Sequence, residues 1–211
     1  MSSFDELKFK TIQARELLES IGHEVSHSIQ VTKLSLALFD QLQSLHGLGT
    51  KERALLESAA LLHDIGWSIS RKSHHKHSMK IILNSNLPAF DDREKRVISN
   101  IARYHRKSLP KHSHSNFVLL SPEDQVLVRK LASFLRIADG LDTGHETRIS
   151  DIECIQANGA YTFKATSDFP CVEELNAVDR KKRLFLETYG KDFRLVFQEV
   201  NTPIVYFETA T

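Results

Sequence analysis

A mainly α-helical bundle followed by a small α+β appendage (β-hairpin, helix, strand) is the fold that this 211-residue sequence predicts. Three observations carry it. Apolar residues recur at helical spacing up to about residue 142, the spacing turns to two-residue alternation after Gly144, and an Asn-Gly pair interrupts the alternating part. The boundary falls near residue 146, giving a helical domain over 1–145 and an α+β subdomain over 146–211.

The first helix is predicted over residues 4–19, ending near Gly22. A second spans about 24–46 and stops at Gly47 and Gly49, because glycine accepts the left-handed conformation that closes a helix. Thr50 then caps a third, over about 51–66. Short helices follow near 75–85 and 91–105, separated by the breaker Asn84-Ser85-Asn86-Leu87-Pro88. Residues 106–120 are polar and basic and read as a loop. Ser121-Pro122-Glu123-Asp124 opens a helix that runs to about Leu141: a capping serine, proline in the first turn, and acids at the positive end of the dipole.

In the appendage, strands over 149–156 and 161–166 flank Asn158-Gly159. A helix covers 172–189 and is closed by Gly190. Phe193, Leu195 and Phe197 alternate with Arg194, Val196 and Gln198, as in a half-buried strand, and 204–207 reads as another.

The hydrophobic share of 41% is ordinary for a globular protein, and the length is ample to bury a core without staples. A net charge of +1 gives no global field toward nucleic acid or membrane. Cys154 and Cys171 lack metal-type spacing and read as reduced and structural. The first ten residues are too charged for a signal peptide, and no apolar run approaches the roughly 18 residues of a membrane span, so a cytoplasmic location is expected. Histidine is the unusual residue. There are eleven, and all but His145 fall between His23 and His114.

Their positions are informative. His27 shares a helical face with Val31, Leu34 and Leu38. The run from Ser58 to Gly66 has no charge except Asp64, and an unpartnered buried carboxylate would cost several kcal/mol. His105 follows Val97 and Ile101 at four-residue spacing, as Asp139 follows Leu131 and Leu135. A lone histidine on such a face is more often a hydrogen-bonded core residue, and Asp64 alone could pair with Arg136. Four helices that each aim a His or Asp at one interior point instead to a cation. Mixed nitrogen and oxygen ligands suit Zn, Mn, Fe, Ni or Co better than Ca.

The order His27, His63-Asp64, Asp139 resembles the HD superfamily of metal-dependent phosphohydrolases, an HD-type helical bundle named for its His-Asp doublet. The segments SHHKHSMKIILNSNLPAF, IARYHRKS and LASFLRIADGLD are similar to the C-terminal domain of the exopolyphosphatase/guanosine pentaphosphate phosphatase family. The resemblance implies that His27, His63, Asp64 and Asp139 hold a first divalent metal ion. It implies that His75 and His105 hold a second, with Asp64 bridging and His77 as the alternative to His75. His74, His112 and His114 are expected to be exposed. Full-length members begin with an actin-like ATPase domain, and no Gly-rich phosphate loop is found here, so the usual exopolyphosphatase activity is not implied.

The leading expectation is a phosphohydrolase in which one or two metal ions activate water. His63, Asp64, His75 and His105 would carry the chemistry, on a nucleotide, a polyphosphorylated alarmone or a short polyphosphate. Arg103, Arg106, Lys107, Arg136 and Arg148, with Lys111 beside them, would meet the phosphate. The alternatives are a non-catalytic module that binds metal and a phosphorylated ligand, and a purely structural His/Asp cluster. The appendage's exposed strands and the resemblance both point to a homodimer. The run Arg180-Lys181-Lys182-Arg183 reads as the solvated side of its helix, which makes nucleic acid an unlikely partner.

Overall fold

A computed structural model describes residues 3–198. The helices are α1 (Ser3–Ile21), α2 (Val25–Gln41), α3 (Gln43–His46), α4 (Thr50–Leu61), α5 (His74–Asn84), α6 (Asp92–Arg103), α7 (Ser115–Val118) and α8 (Pro122–Leu141), with a 3-10 turn at Ile65–Ser68. The remainder is β1 (Ile149–Ala157), β2 (Ala160–Ser167), α9 (Val172–Lys181), α10 (Arg183–Tyr189) and β3 (Phe193–Gln198). The fold is therefore mainly α with a small α+β appendage. The strand expected over 204–207 lies outside the described residues.

Central to the bundle is α8, which packs against α2, α4 and α6 on one side and α9 and α10 on the other. Its start is fixed by the Ser121 hydroxyl, which accepts from the Asp124 amide at 3.1 Å. At the start of α6, Asp91 accepts from the Glu94 amide at 2.7 Å while Glu94 reaches back to the Asp91 amide at 3.2 Å. Leu34, Leu56, Val97, Leu131 and Leu135 are fully enclosed in one apolar core. By burial of apolar area alone, each such leucine contributes about 1.5–3 kcal/mol.

Four expected boundaries change. The second helix breaks at Leu42, where α3 begins, and α7 forms inside the expected loop. The helix over 172–189 breaks at Lys182 into α9 and α10. Most consequentially, α4 ends at Leu61, so His63 and Asp64 sit in a turn. Consecutive residues on a continuous helix point about 100° apart, and leaving the helix frees both side chains to face one interior.

In the appendage, β1 and β2 form the antiparallel hairpin, with Asn158 and Gly159 both at positive φ as a two-residue turn requires. β3 pairs parallel to β2, and α9 and α10 form the crossover. Helix α2 ties this sheet to the bundle. Gln30 donates to the Ile149 carbonyl at 2.5 Å, and Gln41 both donates to the Ile152 carbonyl and accepts from the Cys154 amide at 2.8 Å. The appendage therefore meets the bundle at both α2 and α8.

Candidate metal centre

His27 comes from α2, His63 and Asp64 from the turn after α4, His74 from the start of α5, His105 from just after α6, and Asp139 from the last turn of α8. All six are buried. The Asp64 carboxylate stands between two sets of imidazoles. Its Oδ2 lies 3.6 Å from Nε2 of both His27 and His63, and its Oδ1 lies 3.1 Å from His74 Nε2 and 3.4 Å from His105 Nε2. Asp139 Oδ1 approaches His27 Nε2 at 3.5 Å.

Each of the four rings is held through its other nitrogen. His27 Nδ1 donates to Asp142 Oδ2 at 2.8 Å, and Nδ1 of His63, His74 and His105 donates to the carbonyls of Ala60, Arg71 and Ala102 at 2.7, 2.9 and 2.7 Å. Those acceptors fix each ring and leave the Nε2 lone pairs of His63, His74 and His105 facing one carboxylate, with the Nε2 of His27 beside them. The Nε2 atoms stand 3.3 Å apart for His27 and His63 and 3.0 Å apart for His74 and His105. Asp64 Oδ1 is buried and has no hydrogen-bond donor among the described residues. Lone pairs that face one another around an orphaned carboxylate oxygen repel unless a positive charge lies among them. The donor set therefore fits divalent ions, and among the described residues two groups are close enough to share one: His27 with His63 and Asp64, and Asp64 with His74 and His105.

Electrostatics within the protein follow from this crowding. Burial and the neighbouring Asp139 push Asp64 up to about 6. Burial lowers His63 to about 3 and His74 to about 4, and holds His105 well below the usual imidazole range. His27 differs: burial opposes its protonation, but hydrogen bonds to Asp139 and Asp142 prevail and raise it to about 10. Asp139 is buried too, yet Lys181 and His27 hold it well below the usual carboxylate range.

Above the donors lies a cavity of about 860 Å³. Asp64, His74, His105 and Asp139 reach it, and Arg71, Lys72, Arg106 and Lys181 supply its positive charge. Trp67 also lines it, stacked on His74 and with Arg71 over its ring. Glu24 and His145 form a 2.5 Å pair at its edge, and the His145 ring lies flat on His27 at 3.7 Å.

Of the expected ligands, the structure brings together His27, His63, Asp64, Asp139 and His105. It puts His74 at Asp64 where His75 was expected, and His75 belongs to neither ion-competent group. His75 is buried with its Nδ1 unpartnered, and burial and nearby Arg103 lower it to about 3. The expectation that His74 is exposed is corrected, since its exposure is 2%. The two residues are adjacent on the first turn of α5, and helical spacing does not decide which one faces inward.

Among the basic residues expected to meet phosphate, Arg106 alone lines the cavity. Arg136 is buried and spends its guanidinium on the carbonyls of Tyr104, Lys107 and Lys181. Arg103 lies over the Tyr104 ring, Lys107 donates to the Lys72 carbonyl, and Arg148 pairs with Glu146. Lys107 and Lys111 are exposed. The solvated reading of the 180–183 run is corrected at Lys181, whose Nζ lies 2.5 Å from Asp139 Oδ2. Asp142 was also missed, although it stands three residues after Asp139 on the same helical face, a spacing visible in the sequence.

A mainly helical domain whose two His/Asp groups could hold metal ions beneath a basic-rimmed cavity is the class that fold and site define. The chain belongs to the Ppx/GppA phosphatase, domain III, family, whose family model matches residues 11–184. The guanosine-5'-triphosphate,3'-diphosphate pyrophosphatase of Pseudoalteromonas translucida (strain TAC 125) is 35% identical over 97 residues, which cover 46% of this chain and 18% of that protein. The protein of the same name from Vibrio vulnificus (strain YJ016) is 32% identical over 109 residues, 50% of this chain and 21% of the relative. The matched part therefore spans about a fifth of the length of these curated relatives. Among the described residues, no helix is long and apolar enough to cross a membrane.

Proposed function

We propose that the chain is a metal-dependent phosphohydrolase of the HD type, acting on a nucleotide, a polyphosphorylated alarmone or a short polyphosphate. One observation carries this reading: Asp64 presents Oδ1 to His74 and His105 and Oδ2 to His27 and His63, each through Nε2. Divalent ions held there would neutralise the acids, polarise phosphoryl oxygens and make water a stronger nucleophile near neutral pH. The protein's own part is positional. The carbonyls of Ala60, Arg71 and Ala102 and the Asp142 carboxylate fix the four rings, so the imidazoles are oriented before an ion binds. Arg71, Lys72 and Arg106 bring positive charge to the same cavity, where a phosphoryl group would be received. Family membership and the names of the relatives support a phosphorylated nucleotide among the three substrate classes.

The test is turnover of guanosine nucleotides and polyphosphate by protein loaded with Mn, Fe, Ni, Co or Zn, against the same protein carrying His63→Ala or Asp64→Ala. Loss of turnover by at least a hundredfold in both variants is expected. Rates unchanged in either variant would reject the mechanism.

A further inference from the structure

Two protein cations stand directly on the proposed ligands. Arg106 Nη1 lies 3.2 Å from His74 Nε2, at one donor group. Lys181 Nζ lies 2.5 Å from Asp139 Oδ2, and the other oxygen of that carboxylate stands 3.5 Å from His27 Nε2, beside the other group. Arg106 belongs to the bundle, whereas Lys181 is the last residue of α9, in the appendage.

The approach that delivers Lys181 is unusually close. A Cβ built on Gly140 would lie 2.9 Å from Val178 Cγ2 and 3.1 Å from the Val178 amide nitrogen, so α8 and α9 meet with no room for a side chain at that point. Gly140 adjoins Asp139 on α8, and Lys181 stands one turn beyond Val178 on α9. The junction is locked from the other side by Arg136, whose Nε donates to the Lys181 carbonyl at 3.2 Å. The Lys181 side chain is 19% exposed, and the residue lines the cavity.

We propose that α9 completes the phosphate site: Lys181, brought to Asp139 by the Gly140–Val178 contact, supplies the ammonium that holds a phosphoryl oxygen at the donor group opposite the one Arg106 serves. The appendage is then part of the binding site. Its ligand class is a phosphate dianion, either a phosphate ester or inorganic phosphate itself. Lysine suits this role, since its compact charge on a flexible stem can turn from Asp139 toward a phosphate oxygen without the helix moving.

This rests on the phosphohydrolase reading, and the experiment separates the two. Wild-type full-length chain, Lys181→Met, Lys181→Arg and Gly140→Ala are loaded with Mn²⁺. Metal content is measured by elemental analysis, inorganic phosphate binding by calorimetry, and turnover with guanosine nucleotides, polyphosphate and p-nitrophenyl phosphate. Lys181→Met is expected to keep its metal and to bind phosphate about tenfold to a hundredfold more weakly, as befits one lost charge-assisted hydrogen bond. Ethylamine added to Lys181→Met should restore part of the turnover, which a purely structural lysine would not allow. Lys181→Arg should retain more phosphate affinity than Lys181→Met. Gly140→Ala, which touches neither charge, should also weaken phosphate binding. Wild-type phosphate affinity in Lys181→Met, or loss of its metal, would overturn the assignment of Lys181 and leave the hydrolytic reading standing. A wild-type protein that binds phosphate through Lys181 without turnover would instead sink the hydrolytic reading alone.

Discussion

Replacing Gly66 with alanine tests how the sequence places His74. The added Cβ would lie 2.2 Å from the His74 carbonyl oxygen and 2.5 Å from the Ser78 amide nitrogen, and neither backbone atom can swing away. The Gly66 amide donates to the Ser78 hydroxyl at 3.0 Å, so this approach fastens the turn carrying Asp64 to the first turns of α5. Restoring ordinary contact distances requires α5 to withdraw by roughly 1 Å, in an interior packed too densely to absorb the shift locally. Overpacking of this kind costs about 1–3 kcal/mol, and in a chain of this size each kcal/mol lowers the melting temperature by about 2–4 °C. The expected drop is therefore about 2–12 °C. Because metal–nitrogen bonds are only about 2.0–2.1 Å long, a retreat of roughly 1 Å would also take His74 out of reach of the proposed ion. Calorimetric melting and elemental analysis of Gly66→Ala should show the lower melting temperature and loss of the ion proposed at Asp64, His74 and His105. Gly47→Ala is the control: at φ 65° with nothing within 4 Å of its Cβ, it should cost about 1–2 kcal/mol of strain and leave the metal content unchanged. Wild-type stability and metal content in Gly66→Ala would refute the reasoning.

Three further predictions concern charge and cohesion. In metal-free protein, His63, His74 and His105 titrate below the ordinary imidazole range, so below about pH 6.5 the unfolded chain binds more protons than the folded one. Chemical denaturation with chelator present should therefore show stability falling from pH 7 toward pH 4, and a flat profile would contradict the burial of these rings. His27 has the opposite sign: raised to about 10, it stabilises fully below about pH 6.5 and loses that contribution as pH rises through 10. An ion that takes its Nε2 at pH 8 must release that proton, so the heat of metal binding should vary with the ionisation enthalpy of the buffer, and a buffer-independent heat would count against His27 as a ligand. Finally, Arg136→Met strands the carbonyls of Tyr104, Lys107 and Lys181 and should cost about 2–4 kcal/mol by denaturant titration. A loss below about 1 kcal/mol would mean that this arginine does not lock α9 to the bundle.

Much of this architecture was legible in the sequence because local rules and burial agree there. The Ser121 start of α8, the Asn158-Gly159 hairpin and the apolar faces carrying His27, His105 and Asp139 all appear where spacing and cap chemistry put them. What was not legible depends on contacts between elements. Helix α4 stops before His63-Asp64, where the chain turns at Gly66 to meet α5, and no local propensity records that approach. The choice between His74 and His75 is a rotation at a helix start, which periodicity over one turn cannot resolve. Lys181 looked like one member of a solvated basic run, and only the docking of α9 on Gly140 gives it Asp139 as a partner. Arg136 misled for the converse reason: it lies near Asp139 in sequence, yet its guanidinium is spent on backbone carbonyls.

The central claim is that Asp64 bridges ions held by two pairs of imidazoles. Anomalous diffraction at the manganese edge, from crystals of the full chain grown with Mn²⁺, tests it most directly. Peaks are expected on both sides of Asp64, one coordinated by Nε2 of His27 and His63 with Asp139, the other by Nε2 of His74 and His105. No peak within coordination distance of Asp64, or a peak bound by His75 instead of His74, would contradict it.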